Sequence, residues 1–255
     1  MQWELFNQVL VKLGSVSELD PERDATPYAD QLLELHTHLF ADLEGKTEGV
    51  AARIAARTIA RDHLREVCRL RVRVEQIQAS MANSSTSASE RLVRTAALAY
   101  LACNDDLLSD DLPHGLGYID DCILLRGARL ATPAAPGTDY FIEDILEIQY
   151  LSLAVPEALL PALERALAYF AALWQRTRDL PDAVVERALT ELIQSPPSEF
   201  PSKLDLPPPP PDWRAVDIPF ALHPARLISV EGSGLELAFG DQRFTRARDG
   251  TLAYV

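Results

Sequence analysis

The sequence is poor in the residues and runs that mark several protein classes. Its 255 residues include only three cysteines, Cys68, Cys103 and Cys122, far apart and with no C-x-x-C pair. That excludes a disulfide framework and reads as buried thiols in a reducing cytoplasm. No apolar run reaches the length of about 18 residues that a spanning helix needs. The nearest, LSLAVPEALLPALERALAYFAALW at 151–174, is interrupted by Pro156, Glu157, Pro161, Glu164 and Arg165. It is expected to be a buried core helix, with peripheral membrane contact as the alternative. The N-terminus MQWELFNQVL carries Glu4 and no basic leader region, so no signal peptide is expected. No G-x-S-x-G, P-loop, G-x-G-x-x-G or H-E-x-x-H occurs, so no catalytic motif names a reaction and no catalytic residue is assigned. Basic residues are scarce too. Lys and Arg total 24 against 38 Asp and Glu, a net charge of −14, which opposes broad nucleic-acid binding and favours solubility.

What is present is apolar periodicity. The chain is 47% hydrophobic, enough for a sizeable core in one large or two small domains. Helical spacing dominates residues 1–195. QWELFNQVLVKL, 2–13, is a short amphipathic helix ending at Gly14. Residues 26–43 read as one helix with Thr26 as N-cap and Pro27 at its first position, its apolar face formed by Leu32, Leu33, Leu35, Leu39 and Phe40. A long helix is expected over 48–82, because Val67, Leu70, Val74, Ile77 and Met81 step by 3, 4, 3 and 4. Ser89 is a candidate cap for a helix reaching 103. Further helices are expected at 117–130, 139–153, 156–177 and 181–195.

The composition then changes. Residues 195–213 hold eight prolines, which exclude a helix or central strand. The five at 207–211 suggest a stiff polyproline spacer acting as a tether. Beyond it the period becomes 2. RLISVEG, LELAFG, QRFTRA and TLAYV, separated by SG, GD and DG, predict a small antiparallel meander within 214–255 that must pack on the helical body or on a partner. The fold class is therefore mainly α: a multi-helix bundle over 1–195, a Pro-rich linker over 196–213 and a small C-terminal β element.

Two charged features stand out. Arginines recur every fourth residue at 53, 57, 61, 65, 69 and 73, with Arg71 in addition, giving 51–82 a local balance of +4. At about 100° per residue, Arg57, Arg61, Arg65 and Arg69 sweep the face opposite the Val67–Met81 seam. Such a face is either solvated and paired with the chain's own carboxylates, or a ridge for phosphate, nucleic acid or an acidic protein. No aromatics interleave with it, so stacking on single strands is not supported.

The second feature is NDDLLSDDLPHGLGYIDD, 104–121, with six aspartates. Asp106, Asp110, Asp120 and Asp121 could supply oxygen ligands to Mg²⁺ or Ca²⁺, with Asp105 and Asp111 beside them and His114 as the nearby imidazole. No standard calcium-loop spacing is present. The simpler account is that the aspartates cap short turns and helix starts, with Gly115 and Gly117 turning the backbone and Arg94 and Arg126 as pairing partners. His36 and His38, two apart, are expected to be one packed and one exposed, and Cys103 and Cys122 flank the turn.

The stretch AYLACNDDLLSDDLPHGLGYIDDCILL resembles the core of the YkvA-like domain family over about residues 90–130. Asp106, Leu107, Leu108 and Asp110 match its Asp-Leu-Ile-Pro-Asp segment, Pro113 its later proline, and Gly117, Tyr118, Asp120 and Asp121 its Gly-Tyr-x-Asp-Asp close. Asn104 and Ser109 stand where that family usually has prolines. The resemblance implies a helical hairpin with the acidic turn at its tip, and no known activity or catalytic residues. The sequence reading is a non-enzymatic cytoplasmic interaction or accessory protein that binds another protein and needs no cofactor. Its alternatives are a metal-dependent hydrolase or nuclease built on the aspartates, and phosphate or nucleic-acid binding through the arginines.

Overall fold

The computed structural model describes the chain apart from residues 1–2, 45–48, 84, 104–105, 133–139, 197, 202, 210, 212–213, 215–217, 219 and 233, and apart from the side chains of Asp42, Glu44, Tyr140 and Phe141. It is mainly helical, with one small C-terminal sheet, as the periodicity predicts. Helix α1, Glu4–Lys12, buries Leu5, Phe6 and Val9 and carries Glu4 in its first turn and Lys12 in its last, the arrangement its dipole favours. The helix expected over 26–43 is two: α2, Ala25–Leu35, and α3, Thr37–Glu44. The break is His36, at φ −126° and ψ 48°, whose imidazole Nε2 lies 3.1 Å from the Ala154 carbonyl in the core. Thr26 is not the cap, since α2 already begins at Ala25. Leu35 is exposed and leaves the predicted face, whereas Leu32, Leu39 and Phe40 are buried.

The long 48–82 helix also divides, into α4, Val50–Val67, and α5, Leu70–Ser80. At the junction the Arg69 N–H bonds the Glu66 carbonyl, a tightened three-residue step. The apolar seam survives it: Val67, Leu70 and Val74 are fully buried and Ile77 and Met81 partly so. On α4 the small residues Ala52, Ala55, Ala56 and Ala60 let α2 pack along it. The central helix is α6, Ala88–Ala102, which packs against α1, α5, α7, α9 and α10. Ser87, not Ser89, is its cap. The Ser87 hydroxyl oxygen accepts the Glu90 N–H at 3.2 Å, a Ser-x-x-Glu start.

Helix α7, Ile119–Leu130, follows the acidic turn and lies on α9, Leu160–Thr177, so closely at Gly127 that an added Cβ would stand 2.1 Å from Leu167 Cδ2. Helices α8, Tyr140–Leu151, and α10, Asp182–Gln194, complete the body.

The Pro-rich segment is no free tether. Phe200 inserts among Tyr100, Tyr169 and Phe170, with ring centroids 5.0, 5.1 and 5.9 Å away. Arg176 donates to the Leu206 and Pro207 carbonyls at 3.2 and 2.7 Å. The prolines prevent regular structure, but the apolar residues between them bind the segment down as a strap. Pro210 of the proline run lies outside the described residues.

The sheet is an antiparallel meander of β1, Ala225–Glu231, β2, Gly234–Phe239, β3, Gln242–Arg246, and β4, Leu252–Tyr254, in sequential order with a bulge between Leu227 and Ser229. Leu227, Leu235, Leu237, Phe239 and Phe244 form its buried face, continuous with the helical core. Strand β1 packs on α3 and α4, and β4 on α8. Arg246 fastens the sheet through a two-pronged contact with Asp62 of α4, at 2.6 and 2.7 Å.

Candidate functional site

The acidic turn owes its shape to its ends. Cys103 leaves α6 in an extended conformation, and Pro113–Tyr118 form a 3-10 segment before α7. His114 and Gly115, at φ 56° and 82°, reverse the chain there. Gly117 is needed for a close approach, because a Cβ would sit 2.2 Å from the Ser109 carbonyl oxygen. Together these bring Asp106 and Asp110 to the first turn of α7, which carries Asp120 and Asp121. From the far side comes Lys12, at the end of α1. Its Nζ donates to the Cys103 carbonyl at 2.7 Å and to Asp106 Oδ2 at 2.9 Å, and pairs with Asp110 Oδ2 at 2.6 Å.

The four aspartates have different surroundings. Asp120, fully buried, accepts the Tyr100 hydroxyl at 2.5 Å and the Leu108 N–H at 2.9 Å on Oδ2, and the Asp121 N–H at 3.1 Å on Oδ1. The Tyr100 oxygen in turn accepts the Leu107 N–H at 2.7 Å. Asp121 is 1% exposed and neither of its carboxylate oxygens has a hydrogen-bond partner. Oδ1 of Asp106 and Oδ1 of Asp110 are buried and equally without one. Burial drives Asp106, Asp120 and Asp121 toward the protonated form. It pushes Asp106 up to about 7 against the pull of Lys12, and Asp120 up to about 6 against its three hydrogen bonds. Asp121 is held well above the usual range by burial and by the adjacent Asp120. Burial alone would lower Lys12, but its bonds to Asp110 and Asp106 prevail and raise it.

The expected partners are elsewhere. Arg94 pairs with Glu90 on its own helix, and Arg126 with Glu66 at 2.6 Å and Asp144 at 2.9 Å. His114 turns away from the cluster, its Nδ1 3.6 Å from Asp24 Oδ1. None of the described aspartates caps the next helix by its side chain, and Asp111 is exposed. Asp105 and Asn104 lie outside the described residues. The turn is held by Asp120 from a distance, and closed by Lys12, the only basic residue before Arg23. Among the described residues no group of three or more His, Cys, Asp or Glu is already arranged to hold a metal ion. Cys103 and Cys122 are buried and in no disulfide, and the Cys103 thiol donates to the Ala99 carbonyl. His36 is buried and His38 exposed, as the spacing predicts.

The arginine ladder divides in two. Arg61 and Arg65 reach Glu22 at 2.9 and 3.6 Å, and Arg65 also Asp62 at 3.4 Å. Arg69, Arg73 and Arg126 converge on the buried Glu66. Burial would raise the Glu66 carboxyl, yet Arg126 and Arg73 hold it below the usual range. These arginines are paired with the chain's own carboxylates. Arg53 and Arg57 differ: both are exposed, and neither has an ion pair among the described residues. Beside them stand the exposed apolar side chains of Val50 and Ile54, 55% and 44% accessible.

No helix among the described residues is long and apolar enough to cross a membrane. Set against protein-family models, curated proteins and solved structures, the chain matches none of the three.

Proposed function

We propose that this chain is a non-catalytic cytoplasmic docking protein that binds an acidic, partly apolar segment of another protein along the first two turns of α4. One observation carries the reading. Val50, Arg53, Ile54 and Arg57 are spaced i, i+3, i+4, i+7 and so form one stripe on the helix surface. All four are exposed, and among the described residues no carboxylate pairs with either cation. The adjoining cations, Arg61 to Arg73, have been neutralised from within. An amphipathic helix with carboxylates beside its apolar ridge complements this stripe in both charge and hydrophobicity. That none of the three cysteines is in a disulfide supports the cytoplasmic setting.

Photo-crosslinking in cells tests it. With the photoreactive residue at position 54, the reading expects an adduct with a defined acidic segment. The same residue at exposed Val72 on α5 should give none, and Arg53→Glu with Arg57→Glu should abolish the adduct at 54. Equal labelling from 54 and 72, or an adduct indifferent to charge reversal, contradicts it.

A further inference from the structure

The acidic turn holds more buried carboxyl oxygen than Lys12 meets. Four buried carboxylate oxygens there lack a hydrogen-bond partner among the described residues: Oδ1 of Asp106, Oδ1 of Asp110 and both of Asp121. Asp121 is buried and its carboxyl has no hydrogen bond among the described residues, an expensive state once ionised. Buried oxygens in such numbers need protons, water or a cation. The position of Lys12 Nζ indicates which. It stands among three oxygens of the kinds that bind hard cations, the Cys103 carbonyl and one oxygen each of Asp106 and Asp110, at 2.7, 2.9 and 2.6 Å. Calcium–oxygen contacts run at about 2.3–2.6 Å, so a small contraction converts this ammonium position into an ion position. The shorter contacts and stricter octahedron of Mg²⁺, about 2.0–2.1 Å, fit it less well.

We propose that the acidic turn is a site for one Ca²⁺-sized divalent cation, bound by Asp106, Asp110, Asp121 and the Cys103 carbonyl, which takes the place that the Lys12 ammonium occupies otherwise. Lys12 is the last residue of α1 and its side chain is partly exposed, so it can swing to solvent on its flexible stem. That exchange explains why no three carboxylates already stand in ligand geometry: the cluster is drawn around a lysine, whose single charge is best met by two of them. Asp120 is not a ligand, since Tyr100 and two backbone N–H groups occupy it. It positions the turn.

Calorimetric titration of the full chain with CaCl₂, and separately with MgCl₂, tests this. The expected result is one saturable Ca²⁺ per chain, bound more tightly than Mg²⁺. Asp121→Asn should weaken uptake at least about tenfold, by loss of a charged ligand. Lys12→Met should strengthen it by a similar factor, about tenfold, because the competing ammonium is gone. Terbium emission sensitised by Tyr100 and Tyr118 gives a second readout, quenched when CaCl₂ displaces the lanthanide. Melting curves of each variant without ion establish that it folds. No saturable heat with either salt overturns the proposal. So does uptake seen only in Lys12→Met, or weak uptake at several sites that Asp121→Asn leaves unchanged.

Discussion

Replacing Lys12 by Met examines the closure of the acidic turn while keeping the side-chain stem. Without the ammonium, Asp106 and Asp110 lose their cation and the Cys103 carbonyl loses a donor. Breaking a buried ion pair by removing one partner costs about 3–5 kcal/mol. Here the side chains of Lys12 and Asp110 keep 15% and 23% of their exposure, so solvent reaches one edge of the cluster. Asp106, pushed up to about 7, can also take a proton and shed part of the repulsion. The resulting loss is about 2–3 kcal/mol. Urea unfolding at neutral pH with chelator present measures it, since a shift in midpoint at constant slope reports stability alone. A double-mutant cycle with Asp106→Asn should return a coupling of about 1 kcal/mol or more. A loss below about 0.5 kcal/mol, the scale of exposed ion pairs, would refute the reasoning.

Other consequences are as direct. His63, buried between the Tyr28 hydroxyl and the Tyr150 carbonyl at 3.0 Å each, is lowered to about 4 by burial. Its unfolded form takes a proton below about 6.5 while the folded form does not, so stability falls with pH from there to about 4, by about 3 kcal/mol in all. The difference between wild type and His63→Gln across that window should show this slope, and a pH-independent difference contradicts it. Gly117→Ala sets a Cβ against the Ser109 backbone and should cost at least about 2 kcal/mol in thermal or urea unfolding. Phe200→Ala should cost about 2–4 kcal/mol and raise hydrogen exchange along the Pro-rich strap, whereas a true tether would show neither.

The sequence made the helices legible wherever one apolar face runs unbroken, and so the Val67–Met81 seam is correct even across a helix break that it does not reveal. His36 breaks a helix for a reason remote in sequence, its contact with Ala154, and periodicity has no access to that. Phe200 looks like an isolated aromatic in a proline tether, because its three ring partners lie on α6 and α9. Half of the ladder's neutralisation was readable, since Glu66 is three residues before Arg69 on the same face. Glu22 as partner to Arg61 was not. The aspartates were visible as a cluster, but Lys12 is 94 residues from Asp106. Its isolation among the first 22 residues was the one available hint.

The docking account meets its most direct measurement in the captured partner segment. Prepared as a peptide, it should bind the wild-type chain with an affinity that falls as salt rises. Charge reversal at Arg53 and Arg57 should weaken it about tenfold or more, taking each exposed pair at up to about 1 kcal/mol, and lysines in place of its carboxylates should restore it. Binding that ignores both salt and reversal would place the contact elsewhere on the molecule and contradict the account.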